Sequence, residues 1–163
     1  CALHLAGRTR LVGVSWISKN ENFGASKTSA MKDWAPIWSA AGNSTRFVDL
    51  QYGDTAAERS SAGLDLAHVD GLDLFNDIDG LAALISACDL VITVSNTTAH
   101  LAGALGVPVW VMVPTGNGKL WYWGGEAEIS PWYPSLRLFR QRPGEDWTAP
   151  IAAVAGNLRA PGV

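Results

Sequence analysis

The chain of 163 residues contains little cysteine and little charge. Its two cysteines, Cys1 and Cys88, cannot form the framework of several disulfides that stabilises many small secreted proteins. This cysteine usage favours a reducing, cytoplasmic setting. The net charge is −3, only 17% of the residues are charged, and no basic stripe is present to neutralise nucleic-acid phosphates. We therefore expect no nucleic-acid partner.

Long apolar runs and several chemical motifs are also missing. No run approaches the roughly 20 apolar residues that a membrane-spanning helix needs, and no charged-then-apolar signal segment opens the chain. No G-x-G-x-x-G follows the first apolar run, and residues 115–119 lack the spacing of a P-loop. No His/Cys cluster has metal-ligand spacing. We expect no membrane span, no metal and no bound cofactor.

What the chain does contain indicates one globular domain. Hydrophobic residues make up 48% of the sequence, which is enough for a sizeable core at this length. We interpret residues 1–10 as a linker or tail and residues 11–163 as the domain.

Apolar runs typical of strands alternate with segments of helical spacing, which implies a doubly wound parallel sheet of the α/β class. The predicted strands are residues 11–16, 46–51, 90–94, 107–113 and 136–140, with a brief one near 66–69. The predicted helices are residues 31–41 and 149–158, a short one opening at Thr55, one capped by Asp77 and one ending at Leu105. Residues 17–30 are predicted to be a loop.

The polar turn at residues 95–98 is the most informative feature. It separates a buried run from a small-residue helix, and ligands of open parallel sheets bind beyond the carboxyl ends of the strands. A helix that begins there points unpaired N–H groups at the crevice. One cap needs one hydroxyl or amide residue, and four in a row exceed that need. We therefore interpret the following as phosphate-binding: Ser95, Asn96, Thr97 and Thr98.

His100 lies one turn inside the same helix. We interpret it as a hydrogen-bond partner of a phosphate oxygen, and a half-buried helix histidine is the alternative. The end of the first predicted strand carries Ser15, and Ser18 and Lys19 follow that strand. A lysine just past a strand can place its ammonium on a pyrophosphate, so these residues join the predicted donor site. Lys27, later in the loop, is interpreted as an ordinary solvated charge.

Two further interpretations stay open at this stage. Glu58 matches a capping box with Thr55, and it also suits a carboxylate that accepts hydrogen bonds from ribose hydroxyls. Aromatic clusters at residues 120–123 and 131–134 suit a flap over a ligand, a partner surface or packed loop structure. Lys119 and Trp121 are the flap candidates.

Five segments together resemble glycosyltransferases of the two-domain GT-B type. The resemblance is closest to the heptosyltransferase-like family 9 enzymes and to bacterial glycosyltransferases that follow tetratricopeptide repeats. It is carried by LVGVSWISKNENFG, FVDLQYGDTAAE, DLVITVSNTTAHLAGALGVPVWVMVP, LWYW and SPWYPSLRLFRQ. It implies a Rossmann-like C-terminal half of a GT-B fold, which holds a nucleotide-diphospho-sugar donor.

The resemblance also implies roles for particular residues. In the heptosyltransferases, a segment reading Asp-Thr-Gly-x-x-His lies against the donor diphosphate. Ser95 stands at the Asp position, Asn96 and Thr97 follow, and His100 matches the histidine. Lys19 corresponds to a phosphate-binding lysine, and Glu58 to a ribose-binding glutamate.

A GT-B enzyme needs a second, N-terminal domain, which ordinarily contributes the acceptor site and often the catalytic base. The chain has room for one half, so we expect either a fragment of a larger enzyme or a degenerate solitary module. The competing hypotheses are a non-enzymatic nucleotide-binding or protein-interaction module and a GT-B-like sugar-nucleotide epimerase. The epimerase would need acid/base carboxylates that this half does not display.

Overall fold

A five-stranded sheet, parallel throughout, forms the centre of the protein. The computed structural model describes residues 9–61, 63 and 65–159. The strand order is β2-β1-β3-β4-β5, and each neighbouring pair is parallel. The strands are β1 (Arg10–Ser15), β2 (Thr45–Asp49), β3 (Leu90–Val94), β4 (Val109–Val113) and β5 (Leu136–Arg140). The predicted Rossmann-like α/β architecture is confirmed.

Helices cover both faces of this sheet. They are α1 (Gly24–Lys27), α2 (Ala35–Ala40), α3 (Ala56–Ser61), α4 (Ile78–Ser86), α5 (Thr97–Ala104) and α6 (Thr148–Leu158). Short 3-10 turns occupy Met31–Trp34, Gly116–Gly118 and Trp121–Trp123. Helices α2 and α6 pack on one face, and α4 and α5 pack on the other.

The strand residues divide between two hydrophobic cores because side chains alternate along a strand. In β4, Trp110 and Met112 face the core that contains α2 and α6, while Val109, Val111 and Val113 face the core that contains α4 and α5. Burial on both faces explains why the strands read as continuous apolar runs rather than as alternating ones.

The order of the strands creates a crevice at one edge of the sheet. From β1 the chain crosses to β2 on one side, and β3 then pairs with β1 on the other side. The loops that follow β1 and β3 therefore diverge at the carboxyl ends of adjacent strands. Such a topological switch point is where open α/β sheets bind ligands.

Several predicted boundaries differ from the structure. The helix predicted at residues 31–41 is a 3-10 turn followed by α2, because Pro36 occupies the first turn of that helix. The strand near residues 66–69 reduces to a single bridge between Val48 and Ala67. The loop at residues 17–30 contains α1. Strand β4 begins at Val109 rather than at residue 107.

The predicted tail lies almost wholly outside the described residues. Positions 1–8 are not described, and Arg10 already belongs to β1 and pairs with Thr45. No described helix is long and apolar enough to cross a membrane.

Candidate functional site

A crevice of about 400 Å³ lies at the switch point, beyond the carboxyl ends of β1 and β3. The loop after β1 and the start of α5 form its polar side, and the segment before α4 forms its apolar side. It is lined by Ser18, Lys19, Asn20, Lys27, Tyr52, Leu74, Phe75, Ile78, Leu81, Ser95, Asn96, Thr97, His100 and Tyr122.

The crevice brings together most of the residues predicted to bind the donor. Six of them line it: Ser18, Lys19, Ser95, Asn96, Thr97 and His100. The other two, Ser15 and Thr98, do not line it, and both side chains are fully buried. The Thr98 hydroxyl has no hydrogen-bond partner among the described residues.

Asn96 holds the ends of β1 and β3 together. Its side-chain oxygen accepts hydrogen bonds from the Thr93 hydroxyl and from the amide of Ala99, which caps α5. Its amide nitrogen donates to Ser15 Oγ at 2.8 Å and to the carbonyl of Ile17 at 3.1 Å. Asn96 therefore lines the crevice with its polar atoms engaged within the protein, and Ser15 lies buried beneath it.

Gln51, two residues after β2, adds to this buried network without lining the crevice. Its side-chain oxygen accepts hydrogen bonds from Ser15 Oγ and from the backbone amides of Trp16 and Ile17. Satisfying these buried amides fixes the course of the loop after β1. Nothing in the local sequence pattern distinguishes Gln51 from any other residue that ends a strand.

Ser95 belongs to the aromatic packing of the site. It is 1% exposed, and its hydroxyl accepts a hydrogen bond from Trp123 Nε1 at 2.8 Å. Burial raises the pKa of Tyr122, and a hydrogen bond with Ser95 partly offsets that effect. Ser95 thus contacts two aromatic residues, the buried Trp123 and Tyr122, which lines the crevice.

Thr97 and Lys19 present exposed polar groups to the crevice. Thr97 is the first residue of α5, where backbone N–H groups lack intrahelical partners. The Lys19 amide donates to Tyr52 Oη at 3.1 Å, which holds the start of the loop. The Lys19 ammonium lies against Gly53, because a Cβ built there would be 2.2 Å from Nζ.

Lys27 corrects the interpretation of an ordinary solvated charge. The residue is only 4% exposed and lines the crevice. It forms no hydrogen bond or ion pair with any described residue, and burial lowers the pKa of its ammonium with no carboxylate to oppose the effect. Sequence reasoning missed it because the local pattern does not show that α1 turns this side chain inward.

His100 closes the crevice on the side of α5. Its ring stacks on Trp123 with centroids 4.7 Å apart, and Nδ1 lies 3.2 Å from Tyr133 Oη. Burial, and then the charge of Lys27, lower the pKa of His100. The imidazole is therefore neutral near pH 7.

Glu58 lies outside the lining of the crevice. Its carboxylate accepts a hydrogen bond from Nε1 of Trp16, the buried residue that follows β1. The Thr55 hydroxyl donates to Asp49 at 3.2 Å. Glu58 is thus connected to the loop that carries Lys19, and its side chain remains exposed.

The two flap candidates do not line the crevice. Trp121 is 79% exposed and meets Trp132 edge to face, with ring centroids 6.2 Å apart. Lys119 borders a different cavity near β4 and β5. Tyr122, the neighbour of Trp121, lines the crevice and contacts the His100 ring at 4.9 Å.

The crevice also has apolar lining residues, which sequence reasoning did not predict. Phe75 and Ile78 are 62% and 48% exposed, and the Phe75 ring lies 5.9 Å from the ring of Tyr52. Asp73 shapes this segment by accepting hydrogen bonds from the amides of Phe75 and Asn76. These residues are recognised by the exposure of large apolar side chains inside a cavity, which only the folded structure shows.

The charges of the site have one sign. Lys19 and Lys27 line the crevice, and no Asp or Glu is among its described lining residues. The whole chain carries a net charge of −3, so this cationic crevice is a local departure from the overall balance. Anions are the chemistry that such a crevice favours. Across the described residues, no group of three or more His, Cys, Asp or Glu is arranged to hold a metal ion.

Over most of its length the chain is similar to part of a longer bacterial protein. No protein-family model matches the chain. The chain is similar to protein FlbA of Caulobacter vibrioides, with 37% identity over 153 residues. The similar stretch covers 91% of this chain and 25% of FlbA, so the chain spans about a quarter of that relative's length.

Proposed function

We propose that this chain is the donor-binding domain of a glycosyltransferase and that the crevice holds a nucleotide-diphospho-sugar. The observation that carries the proposal is Lys27, a buried ammonium without an acidic partner that lines a crevice at the switch point. Burying a charge without a counterion is costly, and a bound oxyanion would relieve that cost.

The rest of the crevice suits the other parts of such a ligand. Lys19 and the N-terminal amides of α5 suit a diphosphate. The opposite wall, with Phe75 and Tyr52, suits a flat nucleobase, because aromatic rings stack favourably. Together these two sides match a molecule with one anionic part and one apolar part.

In the reaction, the protein would stabilise the departing diphosphate. Lys19, Lys27 and the amides of α5 are fixed before the bond to the sugar breaks, so their charge need not reorganise as negative charge develops. The catalytic base and the acceptor site would come from a second domain of a longer protein, which tetratricopeptide repeats would precede. We also propose that the protein is located in the cytoplasm.

A non-enzymatic nucleotide-binding or protein-interaction module is the second candidate. Ser95 favours this candidate, because it stands where the resemblance expects a carboxylate. Its hydroxyl accepts a hydrogen bond from Trp123 Nε1. The epimerase has less support, because the described lining of the crevice offers no carboxylate for acid/base work.

Calorimetric titration with UDP, ADP, GDP and their sugar conjugates tests the proposal. We expect binding by at least one of them. Lys27→Gln should weaken it by about tenfold or more, since hydrogen bonds to charged groups contribute about 1.5–3 kcal/mol. Lys32→Gln removes an exposed lysine elsewhere and serves as the control. If no nucleotide binds to the folded protein, the donor-site proposal is wrong and the interaction module is favoured.

A second variant keeps the test independent of Lys27. Thr97→Val combined with His100→Ala should reduce diphosphate affinity while the domain stays folded, because Thr97 is exposed and His100 is half-buried. Unchanged affinity in this double variant would move the site elsewhere.

A further inference from the structure

A second cavity, of about 460 Å³, opens beyond the carboxyl ends of β4 and β5. Its lining includes Thr115, Lys119, Glu126, Arg140, Gln141 and Arg142, and it shares no lining residue with the crevice. The turn Gly116–Gly118 separates the two. A Cβ built on Gly118 would lie 2.9 Å from Pro114 Cγ and 3.3 Å from Lys27 Cγ, so this turn fits tightly between them.

Positive charge dominates the second cavity. Lys119, Arg140 and Arg142 line it against a single carboxylate, Glu126. The only described ion pair of Arg142 is with Glu145 at 3.9 Å, and that pair is largely exposed. Exposed pairs of this kind contribute little, so the arginine is available to another anion.

Arg140 is held in place with donors to spare. Its Nη2 donates to the carbonyls of Trp123 at 2.8 Å and Ala127 at 2.9 Å. Its Nε is buried without a partner among the described residues, and Nη1 makes no hydrogen bond with any of them. Burial lowers the pKa of the guanidinium, while Glu126 raises it. The group is therefore both oriented and incompletely satisfied.

Gln141 adds a further donor. Its side-chain oxygen accepts a hydrogen bond from the amide of Thr115 at 3.2 Å, which turns the side chain toward this loop. Its amide nitrogen has no hydrogen-bond partner among the described residues. The cavity thus offers amide, ammonium and guanidinium donors on neighbouring elements.

We propose that this cavity is a second anion site, which binds the phosphate or carboxylate group of a small molecule through Arg140, Lys119 and Arg142. An oriented guanidinium matches the paired oxygens of either group, and the two flanking cations add charge. The cavity volume falls within the range of about 300–1,000 Å³ that is usual for small-molecule sites. This site is independent of the proposed function, because it shares no residue with the crevice.

Titration of the labelled chain by ¹⁵N–¹H NMR with sodium phosphate and with sodium citrate tests the proposal. Sodium chloride at matched ionic strength is the control for screening. We expect saturable shifts at the amides of Thr115, Gly116 and Gln141 with one or both anions and none with chloride. Saturation by phosphate alone would identify phosphate esters as the ligand class, and saturation by citrate alone would identify carboxylates.

Variants at exposed positions make the test specific without disturbing Arg140. Lys119→Gln with Arg142→Gln should weaken the binding by about tenfold or more, as expected for the loss of two charged donors. Glu126→Gln should strengthen it, and Lys32→Gln, at an exposed lysine that lines neither cavity, should change it by less than about twofold.

The proposal is overturned if these amides shift linearly, as they do with chloride, or if the double variant binds as tightly as the original chain. Shifts confined to Thr97 and His100 would also overturn it, because they would assign all anion binding to the crevice. Since the two sets of amides are observed separately, failure here is distinguishable from failure of the donor-site proposal.

Discussion

Asn96 and Thr97 are neighbours at the start of α5, and their side chains have different surroundings. Asn96 is 7% exposed and makes four hydrogen bonds inside the protein. Thr97 is exposed at the crevice. A run of polar residues at a strand end therefore includes both residues that stabilise the site and residues that are exposed to a ligand.

This difference predicts opposite outcomes for two alanine variants. Asn96→Ala should lower the free energy of unfolding by about 2–4 kcal/mol, because it removes a helix cap and leaves Ser15 without a donor. Thr97→Ala should change it by less than about 0.5 kcal/mol and instead weaken nucleotide binding. Urea denaturation and calorimetry measure the two effects. Equal stability of both variants would contradict this assignment.

His100 predicts that anion binding is linked to proton uptake. Burial and the charge of Lys27 lower the pKa of His100, and a bound anion would raise that pKa. Affinity should therefore increase as the pH falls through the range around 6.5, the ordinary pKa of histidine. Calorimetry in two buffers of different ionisation enthalpy measures the protons taken up.

The matched variant for this prediction is His100→Gln, which cannot titrate. Phosphates also titrate near pH 6, so the relevant quantity is the difference between the two proteins. If the variant takes up as many protons as the original chain, His100 does not contact the anion.

At the scale of elements, helix α5 is short and small-residue because it must approach its neighbours closely. Gly103 faces Tyr133, the residue that contacts His100 Nδ1. A Cβ at Gly103 would lie 2.6 Å from Tyr133 Cγ, inside any permitted contact distance. The sequence predicts the helix from its residues, but the reason for its glycine lies in a loop 30 positions away.

Gly103→Ala should therefore destabilise the protein by about 1–3 kcal/mol, since overpacking displaces neighbouring groups. It should also shift the pKa of His100 through movement of Tyr133. The control is Gly156→Ala in α6, where a Cβ meets nothing within 4 Å. That variant should stabilise the protein by about 0.5–1 kcal/mol, because alanine is the better helix former. Thermal denaturation of both proteins checks the expectation, and destabilisation by Gly156→Ala would contradict it.

At the scale of the whole molecule, the core that contains α4 and α5 encloses Cys88 against the sheet. The residue is 7% exposed, and burial raises the pKa of its thiol to about 11. Only thiolates react readily with alkylating reagents, so the folded state should protect this residue. Cys88 is therefore a reporter of opening of the domain.

Alkylation of Cys88 by iodoacetamide should be slower in the folded chain than in denaturant by about two orders of magnitude or more, because reaction waits for opening. Peptide mass spectrometry measures Cys88 separately from Cys1. A native rate equal to that in denaturant would show that the region around Cys88 opens freely.

Sequence patterns alone determined the architecture and the place of the crevice. Continuous apolar runs separated by helical spacing permit little other than a parallel sheet, and a polar turn after a buried strand marks its ligand edge. Most of the residues that these patterns predicted to bind the donor do line the crevice. These signals are local, because they depend on residues within one strand or one helical turn.

Only the tertiary structure decided which of those residues face a ligand. It enclosed Ser15 and Thr98, turned Lys27 inward and placed Phe75 in the same crevice. It also collected Arg140 and Lys119 at a second cavity. Burial and pairing of charge depend on elements far apart in the chain, so no local pattern carries them.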